Sequence, residues 1–214
     1  MTKIKFETTS LLESFAPHKE LKPKLLKLLE HTKIDNEVLG GNFKPLSKKY
    51  SNDKIKTDWS QSEDFSRPWT QVLYPFLKNH FNNCAVQLNY QTFKMHNLWF
   101  QQYKKGDMHG WHLHGNNYTG VYYLELPEKA TKTELINQFS QNEKITIDAI
   151  EGQIVIFPSF IIHRSPRIIE DVRKTIISFN IDFLLIQSSL RLCSSKSCFS
   201  CFKSSFAFSI YSFT

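Results

Sequence analysis

Gly152-Gln153-Ile154-Val155-Ile156-Phe157-Pro158-Ser159 is a run of apolar, largely β-branched residues opened by glycine and closed by proline. Its length and punctuation predict a buried strand that ends in a turn. The turn delivers the chain to His163. Arg164-Ser165-Pro166-Arg167 and the acidic pair Glu170-Asp171 fit a hairpin-like connection, and a second strand is predicted from Arg173 through Asn180. On that strand Arg173, Thr175, Ile177 and Phe179 share one face. An arginine on an otherwise apolar face is costly unless paired, so an anionic partner is expected, either a ligand carboxylate or a structural Asp or Glu.

Working outward, Leu98 to Tyr103, Tyr118 to Leu126 and Lys144 to Ile150 are similar short runs, punctuated by Gly106, Gly110, Gly115 and Pro127. Several short strands with turn signals predict a β-sandwich or barrel, and helical stretches recur too little here to supply the crossovers of a parallel sheet. Upstream, Leu21, Leu25, Leu28 and Leu29 stand at helical spacing, with Gly40-Gly41 as a stop signal. Trp69, Val72, Leu73 and Phe76 predict a second helix over 69–79, with a kink or break at Pro75. Lys56-Thr57-Asp58-Trp59 opens a polar stretch expected to be a surface loop. The fold class expected is mainly β with N-terminal helices (α+β). Residues 1–97 form a helical and loop segment packing on the core, 98–187 the β core, and 188–214 a poorly ordered Ser/Phe-rich tail.

The net charge is +7, but the basic residues are scattered and look like solvated faces. Long basic runs with interleaved aromatics are absent, which argues against a nucleic-acid partner. No signal-type or membrane-spanning apolar run is seen, so a cytoplasmic location with no membrane partner is expected. Cys84 stands alone, and Cys193, Cys198 and Cys201 resemble part of a zinc-ligand spacing that lacks a fourth ligand.

Three of the eight histidines, His109, His112 and His114, fall within six residues. In an extended strand side chains at i and i+2 project from one face, so His112 and His114 can aim two imidazoles at one point. A third from His163 would cap a metal on three sides and leave positions open for substrate and oxygen. Arg173 supplies a planar donor fork suited to a carboxylate beside that metal. The competing reading is a surface histidine cluster without metal. His18, His31, His80 and His96 are read as structural.

Trp111-His112-Leu113-His114, Tyr122-Tyr123-Leu124, Gly152 to Ser159, His163 and Arg173-Lys174-Thr175 together resemble the core of the 2-oxoglutarate- and Fe(II)-dependent oxygenases, in particular those of phages and marine bacteria. The resemblance runs from about Lys56 to Phe183. It implies a double-stranded β-helix (jelly-roll) core, the cofactors Fe(II), 2-oxoglutarate and O2, and hydroxylation of an unidentified prime substrate with release of succinate and CO2. By position, His112 and His163 would be iron ligands. Arg173 would bind the distal carboxylate of 2-oxoglutarate, with Thr175 assisting and Tyr103 hydrogen-bonding the co-substrate.

His114 stands where the family usually has Asp or Glu. Three outcomes are open: direct ligation by His114, substitution by Asp107 or another nearby carboxylate, or a weakened site. Two rival functions also stand, a three-histidine cupin-like dioxygenase that does not use 2-oxoglutarate and a noncatalytic jelly-roll binding module. The prime substrate is left open among peptide side chains, nucleobases, sugars and small metabolites.

Overall fold

In the computed structural model, which describes residues 8–35, 55–140 and 142–186, the strand expected after Arg173 is an inner strand of a six-stranded antiparallel sheet. That strand, β10 (Lys174–Leu184), lies between β5 (Tyr118–Glu125) and β3 (Thr92–Tyr103). The sheet continues through β8 (Gln153–Pro158) to β1 (Leu11–Ser14) on one side and to β2 (Lys56–Thr57) on the other. A smaller antiparallel sheet has the order β4 (His109–His112), β9 (His163–Ser165), β6 (Glu134–Ile136), β7 (Lys144–Thr146). The two sheets make the jelly-roll core.

The large sheet is buried on both faces, and this explains its sequence. Tyr103, Tyr123, Val155, Phe157 and Ile176 pack with Leu135 of the small sheet. On the other face Ile154, Ile156, Ile177, Phe179 and Ile181 pack with Leu73, Leu77 and Phe81 of a helix. Strands covered on both sides read as near-continuous apolar runs, as much of β5 does, whereas β10 is buried along most of its length yet carries Lys174, Ser178, Asn180 and Asp182 on its even-numbered side. Alternation survives as direction: along β10 the even-numbered Ile176 faces the small sheet and the odd-numbered Ile177 and Phe179 face the helices. At Gly120 in β5 an added Cβ would lie 2.3 Å from the Val155 carbonyl oxygen and 2.4 Å from Phe179 Cζ. No side chain fits there.

Helix α1 (His18–Glu30) buries Leu21, Leu25 and Leu29 along one stripe, and Leu28 packs partly against the same core. Helix α2 (Pro68–Gln87) begins with proline at its first position, where the missing N–H costs nothing. It is longer than the expected 69–79 and continues through Pro75 rather than breaking, because Trp69, Leu73, Leu77, Phe81 and Ala85 stay buried along its length. The stretch from Lys56 corrects the expected surface loop. Lys56 and Thr57 pair with Gln102 and Gln101 of β3, and Asp58 is fully buried. Its carboxylate accepts from Trp69 Nε1 at 2.9 Å, from the Phe100 backbone N–H at 3.0 Å and from Arg67.

Gly40-Gly41, the Ser/Phe-rich tail and Cys193, Cys198 and Cys201 lie outside the described residues. No helix among the described residues is long and apolar enough to cross a membrane.

Candidate metal centre

Strands β4 and β9 pair so that His112 lies directly opposite His163, with a register irregularity between His109 and His112. The strand ends at His112, and His114 reaches the same point from just beyond it, where its backbone N–H donates to the Ser159 carbonyl at 3.1 Å. The ring centroids stand 4.2 Å apart for His112 and His163, 5.1 Å for His112 and His114, and 5.2 Å for His114 and His163. One ligand nitrogen from each ring lies within 4.8 Å of the others.

Two of the rings are oriented by the backbone. His112 Nδ1 is 2.7 Å from the Gly110 carbonyl oxygen and His163 Nδ1 is 2.9 Å from that of Ile161. A carbonyl can only accept, so each Nδ1 carries the hydrogen and each Nε2 keeps a lone pair. Burial disfavours the imidazolium throughout the cluster and the neighbouring rings add to it. His163 is pushed down to about 2, His114 to about 4, and His112 below its ordinary value by burial. Three neutral imidazoles converging on one point are a donor set that fits a first-row divalent metal.

Among the described residues this cluster contains no carboxylate. Asp107 is engaged elsewhere: its carboxylate accepts the Lys104 N–H at 2.8 Å and closes the turn around Gly106, whose φ of +90° favours glycine. His109 stacks on His112 at 4.1 Å with an interplanar angle of 8°, and its Nδ1 is 3.2 Å from Gln101 Nε2. Burial pushes His109 down to about 3, so it too is neutral.

The structure separates Arg173 and Thr175 from this pocket. The Arg173 guanidinium donates from Nε and Nη2 to the Glu125 carboxylate at 2.9 and 2.7 Å, and its side chain is 41% exposed. Thr175 Oγ1 donates to the same carboxylate. Thr175 sits on the odd-numbered face of β10, the face turned away from the small sheet, and Arg173 stands one residue before the strand, so the anionic partner expected for Arg173 is Glu125.

One residue further on, Lys174 is 1% exposed and turns toward the small sheet. Its Nζ donates to Ser165 Oγ at 2.6 Å and to the Thr131 carbonyl at 3.0 Å, and lies 4.7 Å from the centre of the Tyr103 ring. It has no ion-pair partner among the described residues, and burial pushes its ammonium down to about 7. Tyr103 is fully buried, and burial raises its phenol, so it is a protonated donor at neutral pH. The sequence carried the signal for Lys174 in its alternation, one step out of phase with the arginine that drew attention.

Ser165 and Tyr103 line the cavity in front of the triad, with Trp99, Gln101, His109 and Ser178. Its volume is about 30 Å³, roughly the share of one water in the liquid. His114 also lines a wider polar groove of about 590 Å³, together with Trp59, Gln61, Glu63, Asn97 and Asn180.

Residues 97–180 match the model of a family described as "Putative 2OG-Fe(II) oxygenase". That family uses Fe(II), 2-oxoglutarate and O2, and its matched segment contains the whole triad. No curated protein matches the sequence. Among solved structures the chain is similar to a Pseudomonas putida prolyl-4-hydroxylase, at 12% identity and a TM-score of 0.55 over 82% of this chain and 93% of that one. It is also similar to a Trichoplax adhaerens prolyl hydroxylase in complex with a hypoxia inducible factor peptide fragment. There the identity is 17% and the TM-score 0.55, over 81% of this chain and 83% of that one. A third is HygX from Streptomyces hygroscopicus with nickel and 2-oxoglutarate bound, at 11% and 0.55 over 82% and 83%. At these identities the likeness is one of fold. The family match covers residues 97–180, and the jelly-roll fold is shared with these solved structures.

Proposed function

We propose that this protein is a 2-oxoglutarate- and Fe(II)-dependent dioxygenase in which His112, His114 and His163 hold the iron. The observation that carries this reading is the neutral triad, set inside the segment that matches the oxygenase family. Bound Fe(II) with 2-oxoglutarate and O2 supplies oxidative decarboxylation to succinate and CO2, coupled to oxidation of a substrate C–H bond.

The chain's own residues would bind and orient. Lys174 pairs with the distal carboxylate of 2-oxoglutarate, a role for which its burial without an acid partner leaves it available. Tyr103 and Ser165, which touch the Lys174 ammonium, donate beside it. Arg173 and Thr175 tie β10 to Glu125 instead. Gln101 and His109, in contact with each other, line the same pocket beside the triad and would flank the co-substrate. The groove beside His114 then takes the prime substrate, and its lining of amides, hydroxyls and carboxylates suits a polar one.

A second reading draws on the same triad. Three histidines without a carboxylate also suit a dioxygenase that acts without 2-oxoglutarate. Anaerobic calorimetry of the Fe(II)- or Mn(II)-loaded protein with 2-oxoglutarate separates the two, followed by a succinate assay with ascorbate and O2. Saturable binding that weakens in Lys174→Ala, and succinate that scales with protein, are expected. Metal uptake without any 2-oxoglutarate binding overturns the first reading in favour of the second.

A further inference from the structure

A second convergent donor set lies outside the triad, on the helix-covered side of the large sheet. His80 and Cys84 stand one helical turn apart on α2, so their side chains point the same way. Glu13, on edge strand β1 opposite Ile154 of β8, meets them. Glu13 Oε2 is 3.7 Å from His80 Nε2 and 3.8 Å from Cys84 Sγ, and one ligand atom from each of the three lies within 4.8 Å of the others. A tetrahedral zinc ion with its usual bond lengths holds such atoms about 3.3–3.7 Å apart. The two separations from Glu13 are already at or just beyond the upper end of that range, and the His80–Cys84 separation, within 4.8 Å, closes on a metal with at most about an ångström of movement.

Two further observations point to a ligand. His80 Nε2 is buried, its side chain is 12% exposed, and among the described residues it has no hydrogen-bond partner, its nearest acid oxygen being Glu13 Oε2 at 3.7 Å. A buried lone pair or N–H left unpaired costs free energy that a bound cation would recover. The carboxylate of Glu13 is also held in place from behind, because Gln87 Nε2 donates to Oε1 at 2.5 Å and leaves Oε2 facing His80 and Cys84. Outer partners of this kind fix the orientation of a metal-bound carboxylate.

We propose that Glu13, His80 and Cys84 form a second, structural site for a borderline-soft divalent cation, of which zinc is the best match to one thiolate, one imidazole and one carboxylate. Water completes the fourth position. Binding releases the Cys84 thiol proton to solvent, and it fastens β1, which among the described residues pairs with β8 alone, to helix α2. The site shares no residue with the histidine triad, and its existence does not depend on the oxygenase reading.

Cobalt(II) is the probe, because thiolate ligation gives an intense near-ultraviolet charge-transfer band that an all-histidine site cannot. Metal-free full-length protein is titrated with cobalt in the background His112→Ala/His163→Ala, which disables the triad. A saturable thiolate band at one equivalent is expected, persisting in Cys193→Ser/Cys198→Ser/Cys201→Ser and lost in Cys84→Ser. Glu13→Gln, a change at a half-buried edge position, is expected to keep the fold and weaken cobalt binding. Zinc is expected to raise the melting temperature of the triad-disabled protein, as any ligand specific for the native state does, and not that of its Cys84→Ser derivative. Absence of the band from the triad-disabled protein, or its survival in Cys84→Ser, overturns the proposal. So does cobalt affinity unchanged in Glu13→Gln.

Discussion

Lys174 and Tyr103 face each other across the β10–β3 pair, the ammonium 4.7 Å from the centre of the phenol ring. Tyr103 and Ser165 line the cavity that the triad also lines, and the buried ammonium lies against both of them. A charge-assisted hydrogen bond contributes about 1.5–3 kcal/mol, or roughly ten- to a hundredfold in affinity. Lys174→Ala is accordingly expected to raise the dissociation constant for 2-oxoglutarate by that factor while metal content stays at one per triad. Arg173→Ala, at an exposed ion pair worth about 0–1 kcal/mol, is expected to leave it within about twofold. Calorimetry on both variants decides between the two cations, and the reverse pattern would restore Arg173 to the carboxylate.

The same lysine makes co-substrate binding depend on pH. Burial lowers its folded-state value from the usual 10.5 to about 7, so above pH 7 the free protein progressively loses the charge that a carboxylate needs. The dissociation constant for 2-oxoglutarate should rise with pH from about 7 upward and be flat below it. Folding stability has the opposite sense. The unfolded chain holds the proton up to 10.5 while the folded one gives it up near 7, so Lys174 makes stability rise across that window. Lys174→Arg, whose charge does not titrate in this range, should flatten the binding profile. A wild-type profile level from pH 6 to 9 would show that the ammonium is not the group engaged.

Metal stoichiometry tests each histidine separately. His112→Ala and His163→Ala each remove a ring whose Nδ1 is already held by a carbonyl, so both are expected to abolish binding of Mn(II), used as an air-stable probe. His109→Ala should keep full occupancy, since His109 stacks on a ligand without joining the cluster. His114→Asp should also keep it, because a carboxylate adds charge to the same side of the ion. Elemental analysis after desalting reads all four, and loss of metal in His109→Ala would make it a ligand after all.

Gly120 offers a test of the fold itself. Since a Cβ there meets the Val155 backbone oxygen at 2.3 Å, relief requires β5 and β8 to move apart. Overpacking of this kind costs about 1–3 kcal/mol or more. Gly120→Ala should shift the denaturant midpoint down without changing the slope, and an unchanged midpoint would mean that the strands yield freely.

What the sequence made legible follows from burial. β5 and β8 carry apolar runs and are legible, β10 is legible by its alternation, and β3 is legible only from Leu98 because Lys94, His96 and Asn97 interrupt its first half. The strands that hold the site, β4 and β9, are three or four residues long and too short for any periodic pattern. His163 therefore reads as a residue beyond a strand when it lies in one, paired with His112. The difference between Arg173 and Lys174 is a single step of alternation at the strand's first residue, where both faces are buried and the polar even-numbered side is the one turned to the small sheet. Asp58 reads as a loop residue because the groups that satisfy it, Arg67, Trp69 and the Phe100 amide, come from elsewhere in the chain. Glu13, His80 and Cys84 show no spacing that joins them until β1 is laid beside α2.

The pairing of His112 with His163 also bears on the order of events in folding. These two imidazoles come from opposite ends of the β core and meet only when β4 and β9, two of the shortest strands, have closed on each other. On the proposed reading, a nascent chain would have no triad at which to hold iron until β4 and β9 have paired, so metal held there would report that this pairing has formed.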